Sequence, residues 1–142
     1  MKYHFRIHKG GKGYWAQCVE LDGCRTQGKT LEKLRANMKV ALNLYLDEPE
    51  DSATIFPMPK QVRRSKRVEE VVVDPQVAFA FLLRRERLLN HMTQQSVAAR
   101  MNVGLYSYQR LESAKTANPR LATVAKVSKV FLRFPFAQIV KW

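Results

Sequence analysis

A chain of 142 residues that is 46% hydrophobic can bury a core and has room for one domain or two small ones, which excludes global disorder. No apolar run is long enough to span a bilayer, no signal-peptide pattern opens the chain, and Cys18 and Cys24 are too few for a disulfide framework; the expected home is a reducing cytoplasm, with no membrane partner. The formal charge of +13 is unevenly placed, at +9 over residues 76–142 and +4 over residues 1–75, so the C-terminal half is the one expected to bind a polyanion.

Lys2 to Lys9 alternates. Tyr3, Phe5 and Ile7 point one way and Lys2, His4, Arg6 and His8 the other, the pattern of a half-buried strand with a basic outer face. Gly10-Gly11-Lys12-Gly13 lacks the spacing of a phosphate-binding loop and reads as a hairpin connection to a second strand, Tyr14 to Val19. Leu21-Asp22-Gly23 signals a turn, and Cys24 to Gln27 a short third strand stopped by Gly28. Thr30 caps a helix whose stripe of Leu31, Leu34, Met38, Leu42 and Tyr45 covers one sheet face, with Glu32, Lys33, Arg35 and Lys39 on its wet side. An acidic loop follows from Asp47 to Asp51. Phe56-Pro57-Met58-Pro59 is extended, Lys60 to Arg67 is a basic run without a core pattern, and Val68 to Val73 returns as a β-branched strand. Residues 1–74 thus read as a small α+β unit in the order β-β-β-α-β, close to the minimum domain size.

Asp74-Pro75 opens a second unit, residues 75–142, read as all helical. Val77 to Asn90 is a helix with Phe79 and Leu83 on one line and Arg87 next on it. An arginine on an apolar stripe needs a partner, and Glu112 is one of only two acids in this half. Thr93 is an N-cap for a short helix burying Val97, Ala98 and Met101. Asn102-Val103-Gly104 breaks it, Asn and Gly tolerating a left-handed turn around a Val103 plug. Leu105 to Glu112 restarts a helix with Tyr108 and Leu111 inward and Leu105, Tyr106, Gln109 and Arg110 outward. Aromatic, amide and guanidinium groups on one exposed face suit the base edges of a major groove. After the polar loop Lys115 to Asn118, Asn118-Pro119 reads as an N-cap with Pro at the first helical position, and Leu121, Val124, Ala125, Ser128 and Phe131 continue a helix. The tail is apolar. Phe131, Phe134, Phe136, Ile139 and Trp142 exceed what one small helical unit is expected to bury, which points to a homodimer or higher oligomer; the competing reading is a final helix folded back on its own core.

Two resemblances cover nearly the whole chain. T-Q-x-x-V-A-x-x-M-N-V-x-x-x-x-Y-x-x-L-E, from Thr93 to Glu112, resembles the helix-turn-helix of the phage-repressor (Cro/Xre) family. That resemblance implies an Arg87–Glu112 ion pair and an amide at Gln94 on a phosphate. It also implies base or backbone contacts along Leu105, Tyr106, Ser107, Gln109 and Arg110, with Lys115, Thr116 and Arg120 holding the backbone from the far end. The segment E-L-D-G-C-R-T-Q-G-K-T-L-E-K-L-R-A-N, Glu20 to Asn37, is similar to the N-terminal domain of HicB antitoxins, a truncated ribonuclease-H-like fold, although that family usually has Pro where Asp22 stands. It implies a small basic HicA-type ribonuclease toxin as partner, for which His4, Arg6, His8, Asp22 and Gly23 are the candidate contacts.

Other chemistry is declined. His4 and His8 lie roughly 13 Å apart on a strand, too far to share an ion, and the cysteines have no His at zinc-finger spacing. Only Glu20 and Asp22 of the N-terminal carboxylates lie near a strand end, so no catalytic residues, metal or cofactor are expected. The expected function is an antitoxin that neutralises a ribonuclease toxin and represses its own operon at an inverted-repeat operator. The alternatives are a repressor whose first domain senses a small molecule or another protein, and a nuclease with a DNA-targeting domain.

Overall fold

The computed structural model describes residues 1–49 and 52–140. Two compact units emerge, one of Met1–Leu46 with Phe56–Asp74, the other of Asp47–Ile55 with Pro75–Val140. Glu50 and Asp51 of the acidic loop, and Trp142 of the tail, lie outside the described residues.

The first unit is an antiparallel four-stranded sheet in the order β3-β2-β1-β4, covered by one helix. Its strands are β1 (Lys2–Gly10), β2 (Gly13–Cys18), β3 (Arg25–Gly28) and β4 (Val68–Val72), and its helix is α1 (Leu31–Leu46). Alternation along β1 buries Tyr3 and Phe5 completely against α1, whose Leu34, Met38, Leu42 and Leu46 face them. Leu31, expected on that stripe, is the first residue of the helix and stays 36% exposed. The close approach of β3 to α1 needs glycine, because a Cβ on Gly28 would lie 2.5 Å from the Leu34 backbone nitrogen. Thr30 Oγ1 accepts from the Lys33 N–H at 3.1 Å and so caps α1. Truncating a fully buried side chain such as Leu34 to Ala in this layer would cost about 2–5 kcal/mol.

Cys18 and Cys24 are both free and buried, and the Cys18 N–H donates to the Cys24 carbonyl at 2.8 Å. The hydrogen bond between their thiols lowers the pKa of Cys18 and raises that of Cys24, which burial raises further.

The second unit is helical: α2 (Pro75–Leu89), α3 (Gln94–Met101), α4 (Leu105–Glu112), α5 (Leu121–Val130) and a short α6 (Phe136–Ile139). Thr93 caps α3, its hydroxyl accepting from the Ser96 N–H at 3.0 Å. At the break, only Asn102 is left-handed (φ 55°); Gly104 is extended (φ −67°), so one residue makes the reversal where two were expected to share it. Helix α5 starts later than expected. Turn bonds from the Thr116 and Ala117 N–H groups to the Ser113 carbonyl hold Ala117 in the core, and the chain needs 118–120 to reach the next helix. Arg120 is therefore the N-cap, Pro119 precedes the helix, and Leu121 is 88% exposed.

The tail also departs from expectation. Phe131 and Phe134 are buried in the unit's own core, with Phe134 6.0 Å from Phe79 and 4.5 Å from Phe136 between ring centres. They are spent within the unit and are not available as a dimer surface. Phe136 and Ile139 stay half-buried beside the exposed Val140.

Candidate nucleic-acid interface

Helix α4 divides cleanly. Its inner side carries Tyr108 and Glu112, both buried; its outer side carries Leu105, Tyr106, Ser107 and Arg110, with Tyr106 71% exposed. Gln109 is half-buried between the two. The Arg110 guanidinium lies 5.8 Å from the Tyr106 ring centre and donates to its hydroxyl at 3.4 Å. This pairing across one helical turn limits the freedom of both side chains before any ligand arrives.

The inner side is built on one carboxylate. Glu112 accepts from Arg87 Nε at 2.6 Å and Nη2 at 3.1 Å, from the Tyr108 hydroxyl at 2.7 Å and from Gln94 Nε2 at 2.7 Å. Burial works against the Arg87 cation, yet the bonds to Glu112 outweigh it, and its pKa is raised. Burial first, and the Glu112 charge second, also raise the Tyr108 pKa, so its proton stays on the hydroxyl that donates to Glu112. A third bond from Arg87, to the Met92 carbonyl at 3.1 Å, ties the end of α2 to the start of α3. One carboxylate thus fixes α2, α3 and α4 together.

Its orienting effect reaches the surface. Because Glu112 takes the Gln94 amide nitrogen, Gln94 turns its oxygen outward, where it accepts from Gln109 Nε2 at 3.2 Å. Gln94, expected on a phosphate, is engaged within the protein on both ends of its amide. Gln109 is held with its oxygen free to accept, and an amide so oriented can pair with an adenine edge. Thr116 is likewise occupied: its hydroxyl donates to the Arg110 carbonyl at 2.7 Å and closes the end of α4. Lys115 and Arg120 are exposed nearby in sequence. Sequence reasoning missed Tyr108 as a donor. Its i, i+4 spacing from Glu112 was the available signal.

The toxin candidates do not gather into one patch. His4 is only 13% exposed in its side chain, its Nδ1 lying 2.9 Å from Glu20 Oε2. It was expected on an open basic face; instead its ring is drawn to the buried Glu20, and it borders a recess shared with residues 62–65. Arg6 is exposed, and His8 stacks on Trp15 at 4.1 Å. Asp22 is exposed at the turn, its carbonyl accepting from the Tyr45 hydroxyl at 2.5 Å, and Gly23 has φ +78°. This turn lies at the His4 end of β1, where the Val19 N–H meets the His4 carbonyl, while His8 lies toward the hairpin. Among the described residues, no three His, Cys, Asp or Glu side chains gather as a metal site, and no helix is long and apolar enough to cross a membrane.

A helix-turn-helix family model matches residues 83–132, from α2 through the end of α5. The match covers about a third of the chain and supports reading this part as a helix-turn-helix domain, a fold suited to binding DNA. Comparison with curated proteins gives no match.

Proposed function

We propose that the chain is an antitoxin and autorepressor: residues 75–142 bind operator DNA, and residues 1–74 bind and block a small HicA-type ribonuclease toxin. The carrying observation is the outer face of α4, where Leu105, Tyr106, Gln109 and Arg110 stand on a helix locked from behind by Glu112. A rigid recognition helix with a guanidinium and an oriented amide is what base readout requires. Leu105 and Tyr106 meet thymine methyls, Ser107 and Lys115 meet phosphates, and Arg120 supports the backbone from the far end. The net charge of +9 over residues 76–142 supplies the sequence-independent share of the binding.

The toxin half of the reading is supported by the similarity of Glu20 to Asn37 to HicB antitoxins. The contact surface is proposed as an extended strip along β1, from the Asp22-Gly23 turn past Arg6 to His8, and not as a single patch. Two copies pair through the C-terminal patch of Phe136, Ile139 and Val140, which borders a recess of about 420 Å3. Pairing sets two recognition helices about 34 Å apart, or a multiple of that, on an inverted repeat.

The test separates the two labours in the full-length protein. Arg110→Ala should weaken operator binding by about 1–3 kcal/mol and still neutralise the toxin encoded by a neighbouring small basic reading frame. Arg6→Glu combined with Asp22→Lys should do the reverse. A toxin left unaffected by the wild-type protein at saturating concentration would remove the antitoxin reading and leave the DNA reading standing.

A further inference from the structure

The first unit carries a basic surface of its own. At the hairpin end of the sheet, a recess of about 680 Å3 is bordered by Lys12, Tyr14, Trp15, Lys29 and Lys33. A second recess of about 470 Å3 continues along β3 past Trp15 to Arg25. No carboxylate lines either one. Lys12, Arg25, Lys29 and Lys33 are all exposed, and Trp15 is 37% exposed although it sits in the middle of a strand pairing. Trp15 is also held in place. His8 stacks on it at 4.1 Å and 18°, and the Arg25 guanidinium lies 5.8 Å from its ring centre. The result is an ordered aromatic ledge on a sheet, flanked by four cations.

We propose that this ledge and the recess beside it form a binding site for single-stranded nucleic acid. Four cations bordering recesses that no carboxylate lines match a chain of phosphates spaced along a strand, with Glu32 on the exposed start of α1 as the nearest acid in sequence. With His8 on one face of the Trp15 ring, the exposed remainder of the ledge offers an unpaired base a stacking surface that a paired duplex cannot use. The exposed Gln27 side chain at the same edge adds an amide able to bond base edges. An acidic protein segment would satisfy the cations and leave the Trp15 ledge without a role. The inference stands apart from the toxin reading, with which it shares only His8.

Trp15 is its own reporter, because the chain has two tryptophans and Trp142→Phe leaves one. Full-length protein with that change is titrated at low salt with oligouridylate and oligothymidylate of about 12 nucleotides, a length within the range single-strand sites cover. Saturable quenching of Trp15 emission is expected. Lys29→Ala with Lys33→Ala should weaken it at least about tenfold and reduce the log–log salt slope by about 1.4. Arg110→Ala should leave it unchanged. Equal response to both oligomers supports recognition of phosphate and base alone; a stronger response to RNA supports recognition that includes the 2′-hydroxyl. The double lysine variant is a surface change, and retained operator binding and circular dichroism verify its fold. Absence of quenching, binding that depends on Arg110 and not on the lysines, or equal quenching by polyglutamate would each overturn the proposal.

Discussion

Among the described residues each unit buries one glutamate, and the two are partnered differently. Glu112 and Glu20 both have side chains only 1% exposed. Glu112 meets a fixed cation, Arg87, together with a phenol and an amide. Glu20 meets the backbone N–H groups of His4 at 3.0 Å and Lys60 at 3.4 Å, the His4 ring at 2.9 Å and the Cys18 thiol at 3.8 Å. The first arrangement locks helices and aims a recognition surface. The second ties a long irregular segment, through Lys60, to the start of the interior strand β1. A buried charge with a cationic partner is costly to break on one side, because the partner is left charged and dry. A carboxylate held chiefly by backbone N–H groups leaves behind unsatisfied donors and no fixed cation.

That contrast sets an order of effects. Glu112→Ala strands the Arg87 cation and should destabilise the helical unit by about 3–5 kcal/mol. In chemical denaturation followed by helical and sheet signals separately, the helical transition should shift and the sheet transition should not; a joint shift would mean that the units unfold as one. Glu20→Ala should destabilise the sheet unit by about 1–3 kcal/mol, the cost of unpaired buried donors. Hydrogen exchange should show it at the His4 and Lys60 amides, and an unaltered Lys60 amide would detach that segment from Glu20. Lys115→Ala, away from both centres, should leave both transitions in place and lower the salt slope of DNA binding by about 0.9. An unchanged slope assigns Lys115 to solvent.

The smallest effect concerns pH. Arg35 holds the Glu69 carboxyl below its usual 4.5, with both nitrogens of the fork engaged at 2.8–3.2 Å. A depressed carboxylate stabilises the fold above the unfolded pKa, and that contribution disappears as pH falls below 4.5 through the folded value. The pair is exposed and screened, so Arg35→Ala should alter stability only slightly at neutral pH and not at all in strong acid. A difference between the two proteins that grows toward low pH would contradict this assignment.

Much of this was legible in the chain. The strand–strand–strand–helix–strand order followed from the alternation in Lys2 to Lys9, the turn residues and the three- and four-residue steps of Leu34, Met38 and Leu42. Arg87 on an apolar stripe, in a half with two acids, pointed to Glu112. What could not be read was where polar side chains turn once several compete for one acceptor. Gln94 was assigned to phosphate because nothing local shows that Glu112 takes its amide. His4 was assigned to an open face because strand alternation does not show that the buried Glu20, beyond the end of the next strand, takes its ring. Phe131 and Phe134 counted as surplus apolar residues because the capacity of a core depends on tertiary packing, here with Phe79.

The central claim is that the outer face of α4 reads sequence. The most direct measurement is selection of duplexes from a randomised pool by the full-length protein and by Arg110→Ala, each at several salt concentrations. The wild-type protein should enrich an inverted repeat. Arg110→Ala should lose about 1–3 kcal/mol of affinity and relax preference at one symmetric position in each half-site, leaving the others intact. Enrichment of the same motif at the same strength by both proteins, or no enrichment by the wild type, would contradict the account.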